Sequence, residues 1–181
     1  MVTRPGGDVV TAAGTAEPIW GVLDQVMDPE VPALSVVELG IVRDVEVDDE
    51  GRVTVAVTPT YSGCPAMRVI ERDIVAALGA AGWPEVTVRT VFSPAWTTDW
   101  IGEAARAKLA AYGIAPPPPA DVIRDGESPD LVPLRRREPR VRCPYCGSSA
   151  TTERSEFGPT VCKAVMFCEH CRQPFERFKA I

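Results

Sequence analysis

Thr58-Pro59-Thr60-Tyr61-Ser62-Gly63-Cys64-Pro65 separates two segments whose hydrophobic residues recur with different periods. Before it, Val53, Val55 and Val57 alternate with Thr54 and Ala56, the period of a half-buried strand. After it, Met67, Ile70, Ile74, Leu78 and Ala81 recur at helical spacing. The stretch therefore reads as a strand-to-helix turn. It predicts Cys64 at or next to the helix N-cap, with Pro65 at the first helical position, which proline favours. Unsatisfied N–H groups and the positive end of the helix dipole would favour a thiolate there, making Cys64 a candidate nucleophile or metal ligand. The bland alternative is a small buried core residue, the usual fate of an unpaired cysteine.

Working towards the N-terminus, Arg52 to Thr58 pairs with Ile41 to Val47 across the turn Asp48-Asp49-Glu50-Gly51 as an antiparallel hairpin. A fourth short strand around Val36–Leu39 is the open alternative to a three-stranded sheet. Asp28-Pro29-Glu30-Val31-Pro32 is a rigid acidic turn that ends a short helix over Glu17–Met27. Asp28 there reads first as a turn former bonding its own backbone. Residues 1–15 are small, polar and Gly-rich and are expected to be disordered.

Towards the C-terminus, Gly82-Trp83-Pro84 stops the helix, and Val86, Val88, Thr90 and Phe92 mark a third strand. After Ser93-Pro94-Ala95-Trp96, Thr97 or Thr98 caps a last helix whose inner face is Ile101, Ala105, Leu109 and Tyr112, stopped by Gly113. The predicted fold is α+β, a small three- to four-stranded sheet with helices packed on it over residues 16–115. Residues 116–140 read as a Pro/Arg-rich linker, from the Pro116–Pro119 run to Arg135–Arg137 and Arg140.

Residues 141–181 read as a small zinc-ribbon-like domain. Cys143 and Cys146 form one Cys-x-x-Cys pair, Cys168 and Cys171 another, with 21 residues between the pairs. Two such knuckles close a tetrahedron of thiolates. A tail of this length buries too little apolar surface to fold without a cross-link, which gives the metal a physical purpose. Zinc is the expected ion because the shell is closed; iron is the alternative, since thiolates suit both. Cys162 is a possible substitute ligand, and His170 is expected to be an exposed knuckle residue.

Composition narrows the function. The chain has 181 residues, 45% hydrophobic and 24% charged, and no apolar run of membrane-spanning length or signal-peptide character. A cytosolic protein with reduced cysteines is expected, in which a cysteine cluster means metal or redox chemistry. Residues 1–130 hold 9 basic and 20 acidic side chains, net −11, and residues 131–181 hold 10 basic and 5 acidic, net +5. An acidic body argues against nucleic acid as the main partner. With one histidine, no Gly-x-Ser-x-Gly and no Gly-rich phosphate loop, the chain does not read as a stand-alone enzyme.

Asp28-Pro29-Glu30-x-Pro32, Leu39-Gly40-Ile41-Val42, Thr58-Pro59-Thr60 with Cys64-Pro65, and Pro94-x-Trp96, in this order, resemble the metal–sulfur cluster assembly domain family. The tail, with Cys143-Pro144-x-Cys146-Gly147-Ser148, Phe157-Gly158-x-Thr160-x-Cys162-Lys163-Ala164 and Cys168-x-x-Cys171-x-x-Pro174-Phe175-Glu176, resembles the C-terminus of the PaaD family. That family accompanies the multicomponent phenylacetyl-CoA epoxidase of aerobic phenylacetate degradation. The resemblance implies a non-catalytic accessory protein whose partners are the reductase and oxygenase subunits. It would support iron or iron–sulfur cluster insertion through Cys64, with Asp28, Glu30, Thr58 and Thr60 around it. One cysteine cannot hold a cluster alone, so the resemblance implies transient handover or a site bridged across a homodimer. A structural docking component with a purely structural zinc is the competing expectation.

Overall fold

The computed structural model describes residues 16–117 and 141–180. The expectations for residues 1–15 and for most of the linker, 118–140, lie outside the described residues. The structure forms two compact units, divided between Ala105 and Arg106.

In the first unit, α1 (Ala16–Leu23) is followed by a long connection to β1 (Val42–Val47) and β2 (Val53–Val57). Helix α2 (Met67–Ala80) then leads to β3 (Val86–Thr90). The sheet order is β1-β2-β3, with β1 and β2 antiparallel and β2 and β3 parallel. Parallel neighbours need a crossover, and α2 supplies it. Val53, Val55 and Val57 are buried from the alternating face of β2, and Met67, Ile70, Ile74 and Leu78 from one stripe of α2. Burying a side chain of this size contributes about 1.5–3 kcal/mol, so this sheet–helix layer is the core of the unit.

Several boundaries differ from those the sequence predicts. Helix α1 ends at Leu23 rather than Met27: Gln25 and Val26 bond back to Val22 and Leu23 in a tightened last turn. Met27 instead forms a bridge with Ser35 and is 42% exposed. No strand forms at Val36–Leu39. Ser35 and Glu38 make a reciprocal capping box: the Glu38 N–H donates to Ser35 Oγ at 3.0 Å, and the Ser35 N–H donates to Glu38 Oε2 at 3.2 Å. The single helical turn that follows closes through Leu39 N–H to the Ser35 carbonyl and ends at Gly40, whose φ is +73°.

After β3, Thr97 caps a short 3₁₀ turn, Thr98–Trp100, and α3 spans Glu103–Tyr112. Ile101, Ala105 and Leu109 are buried, but Ile101 follows the 3₁₀ turn and precedes α3 rather than lying on it, and Tyr112 is 58% exposed. It is the last helical residue, and Gly113 turns the chain away at φ +92° before Tyr112 can reach a core.

The second unit is a four-stranded sheet in the order β4-β7-β6-β5. Its strands are β4 (Ile114–Ala115), β5 (Thr151–Ser155), β6 (Lys163–Cys168) and β7 (Pro174–Phe178). β5, β6 and β7 form an antiparallel meander, and β4 joins β7 in parallel. One face collects Ala115, Cys143, Met166, Cys168 and Phe175 into a small core. The architecture is thus α+β, three helices with a three- and a four-stranded sheet. No described helix is long and apolar enough to cross a membrane.

Candidate functional site

The four tail cysteines come together. Their sulfur atoms all lie within 4.8 Å of one another, with Cys143 Sγ and Cys171 Sγ 3.6 Å apart and Cys146 Sγ and Cys168 Sγ also 3.6 Å apart. Two turns of the same design produce this. In each, the first cysteine's carbonyl accepts from the residue after the second cysteine: Gly147 N–H to Cys143 at 2.9 Å, and Arg172 N–H to Cys168 at 2.9 Å. Those two residues are both left-handed, Gly147 at φ +72° and Arg172 at φ +61°. The left-handed step folds the second thiol back beside the first. Arg172 is not glycine, and its side chain offsets part of the backbone cost by pairing with Glu169 at 3.0 Å and lying over the Phe167 ring.

Zinc–sulfur bonds of about 2.3 Å in a tetrahedron place the sulfurs about 3.8 Å apart. The observed spacing fits a single ion. In a cluster the four thiolates are divided among two or four irons, so all four sulfurs do not stand this close together. Cys143 and Cys168 are buried while Cys146 is exposed. The backbone N–H groups of Cys171 and His170 hold the Cys168 thiol down at about 6, whereas desolvation pushes Cys171 up to about 12. His170 is exposed in the knuckle. Cys162 precedes β6 and Cys168 ends it, so at ~3.3 Å per strand residue the two are about 20 Å apart. Cys162 is outside the four-sulfur group; its thiol sits 3.2 Å from Thr160 Oγ1 instead.

The other predicted residues belong to the first unit, at the end of the sheet where β1 begins and β2 and β3 finish. Val42 pairs with Val57 and Val57 with Thr90. The Thr58 N–H donates to the Ile41 carbonyl at 2.8 Å, and the Val91 N–H to Val57 at 2.8 Å. Three connections therefore leave from one sheet end: residues 24–41 with Asp28 and Glu30, residues 58–66 with Thr58, Thr60 and Cys64, and residues 91–97 with Trp96. Loops beyond the C-terminal ends of parallel strands are the usual place for ligands in such sheets.

Asp28 is buried, and its Oδ1 accepts from the N–H groups of Glu30 at 2.8 Å and Val31 at 2.7 Å. This is the turn-forming role, and it holds Glu30 at a half-buried position. Thr58 and Thr60 are buried and Cys64 is half-buried. Cys64 does not cap α2. Ala66 is the N-cap, with φ −64° and ψ −23°, and Cys64 stands two residues earlier. Its N–H closes a turn to the Tyr61 carbonyl at 3.1 Å. Pro65 has no N–H and starts a turn rather than the helix, so the dipole at Cys64 is weaker than its expected position implies.

What ties this end together is only partly visible in the sequence. The Trp96 indole N–H donates to the Leu39 carbonyl at 2.9 Å, joining two motifs that lie 57 residues apart. A Cβ on Gly40 would meet Trp100 Cβ at 3.1 Å and Trp96 Nε1 at 3.8 Å. Gly40 thus needs both its positive φ and its missing side chain. Gly40→Ala is expected to cost about 1–2 kcal/mol from the left-handed backbone alone, read as a lowered denaturation midpoint at an unchanged denaturant slope. An unshifted midpoint would show that the left-handed backbone at Gly40 carries no such cost.

Two family models match the chain: "Iron-sulfur cluster assembly protein" over residues 16–90 and "PaaD zinc beta ribbon domain" over residues 127–179. An Escherichia coli (strain K12) protein, provisionally named as one of the subunits of 1,2-phenylacetyl-CoA epoxidase, is 45% identical over 163 residues, 90% of this chain and 92% of that protein. The Fe-S protein maturation auxiliary factor YitW of Bacillus subtilis (strain 168) is 38% identical over 96 residues, 51% of this chain and 91% of its own. A solved Bacillus anthracis domain of unknown function is 29% identical, covering 51% of this chain and 88% of that one, with a TM-score of 0.48. Matched along both halves, the chain belongs to the PaaD family, in which an iron–sulfur cluster assembly domain is joined to a zinc β-ribbon.

Proposed function

We propose that this protein is a non-catalytic, cytoplasmic accessory factor of a phenylacetyl-CoA epoxidase. Its work is to support insertion of iron or an iron–sulfur cluster into the reductase or oxygenase partner. The observation that carries the reading is the match along both halves, to a protein named for the epoxidase over 92% of that relative's length and to maturation factors over the first domain. In this reading the first unit, up to Ala105, handles the cargo, and the four-cysteine ribbon is a structural module whose sheet also takes in β4 at Ile114–Ala115. Cys64 is the transient ligand. Its half-buried position lets a cluster reach the sulfur while the loop shields it. Buried Thr58 and Thr60 offer hydroxyls to a thiolate or sulfide, and Asp28 and Glu30 shape the facing turn. A lone thiolate binds weakly, which suits handover; a homodimer bridging two Cys64 residues would suit storage. Cys143, Cys146, Cys168 and Cys171 hold zinc, and no nucleic acid or membrane is part of the function.

The test is co-expression with the epoxidase subunits, wild type beside Cys64→Ser. The reading expects an unchanged melting temperature for Cys64→Ser and a reductase whose iron and acid-labile sulfide drop to the level found without the accessory protein. The name of the Escherichia coli relative favours a second reading, a docking component of the complex with zinc as its only metal. Undiminished iron and sulfide, with stable co-purification, would establish that reading and remove the first.

A further inference from the structure

Arg43 occupies an irregular position in β1. The pairing of β1 with β2 shifts between Val42↔Val57 and Asp44↔Ala56, so Arg43 is the extra residue of a β-bulge. Bulges re-aim one side chain and recur beside functional sites. The Arg43 guanidinium carbon lies 3.5 Å from the centroid of the Trp100 ring. Arg52, Arg72, Arg154, Arg172 and Arg177 are each held by a carboxylate within 3.2 Å. Arg43 has no carboxylate and no hydrogen-bond partner among the described residues. It is half-buried, and burial pushes its pKa down with no acidic group acting in the other direction.

A partly desolvated cation without a counter-charge is a cost that the fold has not relieved. Stacking uses one face of the planar guanidinium and leaves its edge, a fork of parallel N–H donors, to grip a planar or tetrahedral oxyanion in two places. Trp100 beneath it lies against Gly40, where an added Cβ would meet the Trp100 Cβ at 3.1 Å. Arg43 is one residue in from the Val42↔Val57 pair, at the sheet end from which the Cys64 loop departs.

We propose that Arg43, seated on Trp100, is an oxyanion-binding residue at the Cys64 end of the sheet, taking a carboxylate or phosphate group on its free edge. Its purpose rests on the maturation reading above, where the group would orient an incoming partner or cargo carrier; the binding itself does not.

Trp100 is the reporter. The full chain is titrated with inorganic phosphate and with citrate while its tryptophan fluorescence is followed, and Trp100→Phe identifies the Trp100 share of the signal. A saturable change is expected, at least about tenfold weaker in Arg43→Gln, as loss of a charge-assisted hydrogen bond implies. Arg43→Lys keeps the charge without the fork and is expected to respond in between; a response equal to wild type would overturn the two-point grip. If the free anions give no change, but purified epoxidase reductase or oxygenase does and Arg43→Gln loses it, the oxyanion is a protein carboxylate and the proposal stands. If neither anions nor epoxidase proteins distinguish wild type from a folded Arg43→Gln or Arg43→Lys, the proposal is wrong. Cys64→Ser separates the two readings: it is expected to abolish cluster delivery and leave the anion response intact.

Discussion

Cys168→Ser is expected to strip the metal from the tail and unfold its ribbon. The cluster around the four sulfurs is five buried residues, two of them the proposed ligands Cys143 and Cys168 themselves. That cluster is small once its two cysteines lose their metal, whereas a structural zinc contributes roughly 10–16 kcal/mol of apparent binding energy at neutral pH. Cys168 is fully buried. A serine there loses the metal bond and leaves a hydroxyl in an apolar setting. The measurements are metal content, falling from about one ion per chain for a closed four-thiolate site to near zero, and the amide spectrum of Thr151–Phe178, losing its dispersion. Signals from β1, β2 and β3 are expected to persist, since Val53, Val55 and Ile74 pack without any ribbon residue in their own sheet and helix. A variant that keeps a dispersed ribbon without metal would show that strand pairing alone sustains the unit.

Trp96→Ala is the second large effect. Trp96 is 4% exposed and buries its indole at the end of the sheet from which the Cys64 loop departs. Truncating a buried Trp costs about 3–5 kcal/mol, a large part of the ~5–15 kcal/mol that holds a typical domain. The loss includes the indole N–H bond to the Leu39 carbonyl, which would leave that acceptor unpaired. Denaturant unfolding of the full chain reads this as a marked fall in the midpoint of the transition reported by the first unit. Trp96→Phe keeps much of the packing and drops only the hydrogen bond, so about 1–3 kcal/mol is expected. Equal losses for the two variants would place the whole effect in the hydrogen bond and none in packing.

Both effects concern residues whose importance is unevenly legible in the chain. The alternation of Val53, Val55 and Val57 and the helical spacing from Met67 to Leu78 reveal the central layer, because each element buries one face and its period is written in the residues that do so. The Ser35-x-x-Glu38 signature is also present, but the apolar pair Val36-Val37 beside it points to a strand instead. Local side-chain to backbone bonds prevail there, since a capping box satisfies donors that a short isolated strand would leave open. At Cys64, the proline that follows points to an immediate helix start. Ala66 takes the cap because the first i to i+4 bond, from the Ile70 N–H, ends on its carbonyl.

Local pattern was enough to define the elements of the first sheet, the pairing of two Cys-x-x-Cys knuckles and the class of ion they suit. These follow from short-range periods and spacings, in which each residue's role depends on neighbours a few positions away. The folded chain was needed to show that Cys162 stands a strand's length from the four-sulfur group, that Trp96 closes on Leu39 across 57 residues, and that Arg43, unpaired by a bulge in β1, lies on Trp100. Those facts depend on register and on bulges, where a shift of one residue sends a side chain to the opposite face, and no local pattern encodes which distant partner it then meets.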